Sequence, residues 1–393
     1  MTRTALLLAA AFSAAATLAA PAASAQPAAG SPPAAGEVRV YFGTYSGGKT
    51  GSKGIYTATL DPATGKLSVP VLAGEATNPS FVAIHPDKKH LYAVAEVDAV
   101  DGKKAGGVAA FAINPDGTLA PLNRKPSGGT GPCYVSLDRD GRHVLVANYG
   151  SGAVACLPIT ADGALADPSA TVQHVGSGPD PKRQAGPHAH SINLDAANRF
   201  AIAADLGLDK LLVYKFDAAA GTLTPNDTPA GMVAPGSGPR HLAWSPSGAF
   251  AYVISEMANT VTVFKYDAGK GTLADVQVVP TLPADFKGAS STAEVAMHPT
   301  GKFLYGSNRG HDSIAVFAVD AATGKLTPAG IVPTGGKSPR HFGIDPSGQY
   351  LLAANQDSGT VTTFRIGPAS GGLSRVGEPT AVPKPVCVKF LLR

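Results

Sequence analysis

Arg240 and Glu256 stand sixteen residues apart with Gly248 at their midpoint. The same interval recurs along the chain: Arg340 and Gln356 centre on Gly348, Ala293 and Arg309 on Gly301, Cys133 and Tyr149 on Gly141, Ser80 and Glu96 on Lys88, His190 and Leu206 on Asn198. A strand, a tight turn and a returning strand would bring each pair to the same end of a hairpin. The pairs collect Arg240, Arg309, Arg340, Glu96, Glu256 and His190. His241 and His341 adjoin two of the arginines, the loop Gly186–Ser191 adds His188, and Asn308 and Gln356 offer amides. Guanidinium forks bind carboxylate or phosphate bidentately, and a carboxylate or imidazole held among them can carry a proton. Such a pocket suits an anionic, oxygen-rich small molecule. Each pair also has a plain structural reading, since Arg240 and Glu256 could be an interstrand ion pair that fixes its hairpin.

Other chemistries fit less well. His188 and His190 have the spacing of a metal pair, but no matching acidic cluster shares their loop, so neither a metal nor a cofactor is expected. Ser191 lacks the Gly-x-Ser-x-Gly elbow of a serine nucleophile. His85 and His298 precede turn prolines and read as outer turn residues, and Trp244 reads as core.

The elements that must position these side chains repeat seven times. A β-rich run followed by a glycine turn recurs at Ile55–Leu60 with Gly65, Val108–Ile113 with Gly117, Val154–Ile159 with Gly163, and Leu211–Phe216 with Gly221. It continues at Val261–Tyr266 with Gly271, Ile314–Val319 with Gly324, and Val361–Ile366 with Gly372. The glycines lie 52, 46, 58, 50, 53 and 48 residues apart, room for about four short strands per unit. A second phrase, a Pro-led strand, a turn and an alternating strand, precedes each copy. Its seventh copy is split: Pro385–Phe390 resembles the strand at Pro79–Ile84, and Val38–Thr44 resembles Leu91–Ala95. Pairing the two chain ends closes a ring, so the expected fold is an all-β, seven-bladed β-propeller with four-stranded blades.

Composition agrees. Of 393 residues 44% are hydrophobic, enough for a large core, and Gly 46 with Pro 33 falls short of a disordered composition. Lys+Arg 32 against Asp+Glu 28, with no basic run, excludes a nucleic-acid partner. Cys133, Cys156 and Cys387 fit neither a zinc pattern nor a dense disulfide framework and read as buried free thiols. Arg3, the apolar run Ala5–Ala20 and Ala23-Ser24-Ala25 read as a signal peptide over 1–25. A Pro/Ala-rich linker over 26–36 and the propeller over 37–393 follow. The expectation is a monomer without a membrane anchor, exported to a periplasm or beyond.

The ordered set Gly186-Pro187-His188-Ala189-His190-Ser191, Gly238-Pro239-Arg240-His241, Ser255-Glu256 with Asn259-Thr260-Val261, and Asn308-Arg309 with Ser313-Ile314 resembles the lactonase family of seven-bladed propellers. That family includes the propeller type of 6-phosphogluconolactonase and is similar to fungal carboxy-cis,cis-muconate cyclase. The resemblance implies an active group of His190 or His188, Arg240 and Glu256, acting on a lactone. Ring opening needs an activated water, a stabilised oxyanion and a proton for the departing oxygen. Glu256 or His190 would serve the first and third, Arg240 the second, with Arg309 and Arg340 orienting sugar hydroxyls or a phosphate. A muconolactone cycloisomerase could use the same groups, and a non-enzymatic binding propeller needs none of them. The export signal is at odds with a cytoplasmic pentose phosphate step and bears on the substrate more than on the reaction type.

Overall fold

The computed structural model describes residues 1–2, 38–99 and 104–392. The chain divides into Met1–Ser31 and Pro32–Arg393. The expected signal peptide and linker, apart from Met1 and Thr2, lie outside the described residues.

Seven four-stranded antiparallel sheets make the blades. Blade 1 joins the chain ends: Pro385–Leu392 lies innermost, followed by Val38–Thr44, Gly54–Leu60 and Val71–Glu75. Val38 pairs with Leu392 and Phe42 with Val388, so the ring closes as expected. Blades 2 to 7 begin at the inner strands Val82–Ile84, Pro132–Leu137, Ala189–Leu194, Pro239–Trp244, Ser291–Met297 and Pro339–Ile344. Among the described residues the only helical segment is the 3-10 turn Gly48–Thr50, and no helix is long and apolar enough to cross a membrane.

Burial falls from hub to rim, and the residue types follow it. The second strand of blade 5, Phe250–Ser255, is buried throughout because neighbouring blades cover both its faces. The fourth, Thr272–Pro280, is largely open to solvent and mixes polar with apolar residues. Adjacent blades lock through the turn glycines. Gly324 has φ of +72°, and a Cβ there would lie 2.4 Å from Cδ1 of Phe250 in the preceding blade; at Gly271 it would meet Phe200 at 2.5 Å. The hydroxyls of Tyr41, Tyr92 and Tyr305 donate to the carbonyls of Gly117, Gly163 and Gly371 across the same seams. In the seventh copy Gly371, not the expected Gly372, takes the left-handed conformation and abuts Phe303. The three cysteines are buried and free.

Pairing slips at the start of the inner strands. Pro239 pairs with Ser255 but His241 with Ile254, which leaves Arg240 as the extra residue; Cys133, His190 and Arg340 occupy the same slip in blades 3, 4 and 7. In blade 6 the slip spans Ala293 and Glu294. A bulge of this kind re-aims a side chain out of the strict in-and-out alternation. Here it turns Cys133, His190, Arg240 and Arg340 toward one another at a single mouth.

Candidate active site

Glu256 follows the second strand of blade 5, and three guanidinium groups close on its carboxylate. Arg240 Nε donates to Oε2 at 3.1 Å, Arg309 Nη2 lies 2.9 Å from Oε2, and Arg183 Nη2 donates to Oε1 at 2.7 Å. His190 Nε2 lies 4.0 Å from Oε2. Burial alone would raise the Glu256 pKa. The charges of Arg309 and Arg240, with the hydrogen bond from Arg183, overcome it and hold the carboxyl far below the usual carboxylate range. With three of about four lone-pair directions taken by cations, Glu256 is a fixed anion and a poor proton acceptor near neutrality.

His190 is the opposite case. Burial first, then the charge of Arg240, press its pKa well below 6.5, so the ring is neutral at neutral pH. Its Nδ1 lies 3.6 Å from Cys133 Sγ, leaving Nε2 on the Glu256 side. Burial raises the Cys133 thiol far above its ordinary value, so this pair is no thiolate nucleophile.

The loop before blade 4 sets the near wall. Asp180 Oδ1 accepts the Lys182 and Arg183 amides, and the buried Gln184 side chain donates to Leu206 O and Asp209 Oδ1. This frame carries Arg183 over Glu256, where its Nη2 also reaches the Tyr149 hydroxyl at 3.3 Å. His188 stacks on the Tyr149 ring at 4.5 Å, with its Nδ1 2.9 Å from the Tyr149 carbonyl oxygen. Beside this cluster a cavity of about 440 Å³ is lined by Ser290, Ser291, Arg309, Ser338, Arg340 and Gln356 among others, within the usual size range of small-molecule sites. A separate void of about 10 Å³ lies between Glu96, Arg240, His241, Arg340 and His341, room for about one water.

The family described as "Lactonase, 7-bladed beta-propeller" matches residues 39–390. The chain belongs to this lactonase family. A 6-phosphogluconolactonase of Bacillus subtilis is 39% identical over 352 residues, 89% of this chain and 97% of that protein. One of Serratia proteamaculans is 32% identical over 263 residues, covering 67% and 73%. Among solved structures, the periplasmic gluconolactonase PpgL of Pseudomonas aeruginosa superposes with a TM-score of 0.85 at 33% identity, covering 90% of this chain and 99% of that one.

Within this lactonase-family propeller the fold brings together Arg240, Glu256, His190 and Arg309, with His188 stacked beside them and Arg340 and Gln356 lining the cavity. His241 and His341 sit deeper than the mouth. His241 Nδ1 and His341 Nε2 both approach Glu294 Oε2, at 2.9 and 3.1 Å, and Arg240 Nη1 lies 3.2 Å from His241 Nε2. Glu96, at the wall of the narrow void, accepts the hydroxyls of Tyr45 and Ser80. Asn308 does not reach the mouth: it is fully buried, donates to Thr281 O and Ser313 Oγ and accepts from Thr281 Oγ1, a hydrogen-bonded lock between connecting segments. His188 and His190 turn their nitrogens to different partners and share no ligand position. His85 and His298 hold turns, as expected, through Gly141 O and Gly348 O.

Arg183, Glu294 and Tyr45 are functional candidates that pattern reading passed over. Tyr45 follows the split blade's second strand, so it is the seventh member of the column Glu96, Tyr149, Leu206, Glu256, Arg309 and Gln356. Glu294 belongs to the column one residue after the bulge, with His241 and His341. Arg183 has no counterpart in other blades; its trace was the 58-residue gap between Gly163 and Gly221, the longest of the six.

Proposed function

We propose that this chain hydrolyses a sugar-acid lactone at the channel mouth, and that it does so as an exported enzyme. The convergence of Arg240, Arg309 and His190 on Glu256, beside an open cavity, is the observation that carries the reading. His190 in its neutral form takes a proton from water as the water oxygen bonds to the lactone carbonyl carbon. The oxyanion that develops is met by the Arg240 and Arg309 guanidinium groups, which Glu256 holds in place. The new imidazolium lies near Glu256, a favourable partner for its charge. Collapse of the tetrahedral species breaks the bond between the acyl carbon and the ring oxygen, and His190 returns its proton to that oxygen. The product is the open hydroxy acid, with atoms and charge balanced and no metal called upon.

Export is supported by the signal-like composition of residues 1–25 and by the periplasmic gluconolactonase among the similar structures. The test is a panel on protein beginning at Gln26: glucono-δ-lactone, 6-phosphoglucono-δ-lactone and a carboxylated muconolactone, each with and without a chelator. Opening of a gluconolactone, insensitive to the chelator, is expected; acceleration of the muconolactone alone would replace the reading with cycloisomerisation.

A further inference from the structure

Four arginines surround the mouth, and three of them are committed. Arg183, Arg240 and Arg309 all contact Glu256. Arg340 differs: among the described residues no hydrogen bond or ion pair engages its guanidinium. Its neighbour is a ring, since Cζ lies 5.4 Å from the Tyr45 centroid, a cation–π distance. That ring is itself fixed, because the Tyr45 hydroxyl lies 3.0 Å from both Glu96 oxygens and Ser80 Oγ binds the same carboxylate. Ser80, Glu96 and Tyr45 thus hold one face of Arg340, which lines the cavity of about 440 Å³ with Ser290, Ser291 and Gln356 and also borders the void of about 10 Å³.

A guanidinium has five N–H donors in a planar fork that matches the oxygens of a carboxylate or a phosphate. An arginine oriented by its surroundings and lacking an acceptor is a prepared oxyanion receptor. We infer that Arg340 is the anchor for an oxyanion carried by the substrate away from its lactone carbonyl, a phosphate monoester or a second carboxylate, and so sets the preference for anionic over neutral lactones. This rests on the lactonase reading and adds the substrate class to it. The division of labour is physical: Arg240 and Arg309, held by Glu256, serve the reacting carbonyl, and Arg340, a blade away from Arg309, serves the substrate's far end.

The experiment compares wild type and Arg340→Gln on glucono-δ-lactone (neutral), 6-phosphoglucono-δ-lactone and glucarolactone (carboxylated). The ratio of kcat/KM for an anionic lactone over the neutral one should fall about 10- to 100-fold in the variant, carried by KM, the range for losing a charge-assisted hydrogen bond. A fall confined to the phosphorylated or to the carboxylated lactone identifies which oxyanion is read. Arg340→Lys, which keeps the charge but not the fork, should recover part of the ratio. An unchanged ratio for both anionic lactones overturns the inference. If wild type opens no lactone, the hydrolase reading has failed; Arg340 is then read by calorimetric titration with inorganic phosphate and with glucarate. Binding weakened by the same factor in Arg340→Gln sustains the anchor, and binding that is absent or unaltered overturns it.

Discussion

Replacing Glu256 by Gln removes the one charge that three guanidinium groups share while keeping its shape. Arg240 and Arg309 are largely buried, with side-chain exposures of 3% and 16%, whereas Arg183 is 42% exposed and its pair is discounted for solvent screening. Removing one partner of a buried ion pair typically costs about 3–5 kcal/mol, because the remaining charge is left uncompensated. With relief from solvent at Arg183 we expect about 3 kcal/mol, a fall in Tm of about 4 °C for a chain of this size. The pH dependence has a definite sign. The folded-state pKa of Glu256 is depressed, so its stabilisation is complete above the unfolded carboxylate value of about 4.3 and lost only as pH falls toward the folded value. The difference in Tm between wild type and variant should therefore hold from pH 8 to about 5 and shrink in stronger acid. Since Arg240 and Arg309 lose their anchor, kcat should fall about 100-fold with the fold intact. Thermal melts across pH and initial rates at 25 °C test both parts, with Arg183→Gln as a control expected to cost under about 1 kcal/mol. Wild-type Tm and wild-type kcat in Glu256→Gln would refute the view that this carboxylate organises the mouth.

Three further outcomes follow from the same geometry. NMR titration should find His190 uncharged down to well below pH 6.5, and Arg240→Gln should move its transition upward, since a repelling charge has been removed; an ordinary midpoint in wild type contradicts this. Iodoacetamide at pH 8 should leave the folded protein active, because burial keeps the Cys133 thiol protonated, whereas rapid inactivation would put a thiolate in the site. Gly324→Ala should cost about 2–3 kcal/mol in urea unfolding, since the new Cβ meets Phe250 from a left-handed backbone; an unchanged midpoint would mean the blade seam is looser than described.

The ring was readable before any coordinates because its unit repeats: the Pro-led strand, the glycine turn and the split seventh copy fix blade number and closure together. The Arg240 and Glu256 pair was readable for the same reason, since a constant sixteen-residue interval places both ends of a hairpin at one face. What escaped was whatever broke the repeat. Arg183 sits on an insertion without counterparts, Glu294 shares a column with the histidines His241 and His341 but differs from them in residue type, and Tyr45 lies where the chain ends interrupt the column. Asn308 was misplaced because a column near the mouth also contains the amides that lock connecting segments; Asn148, buried against Ser127, is another. Spacing reports which residues share a level of the wheel. Which way each side chain turns depends on local bulges and hydrogen bonds, and spacing cannot register those. The choice between Glu256 and His190 as base also lay beyond sequence, since it turns on how many cations reach the carboxylate.

The most direct measurement is the rate of gluconolactone opening, above the uncatalysed rate, by wild type and by His190→Gln at neutral pH. A neutral imidazole moving the proton at a mouth organised by Glu256 predicts a loss of about 100-fold or more with the melting temperature nearly unchanged. Opening by His190→Gln at the wild-type rate would contradict the account.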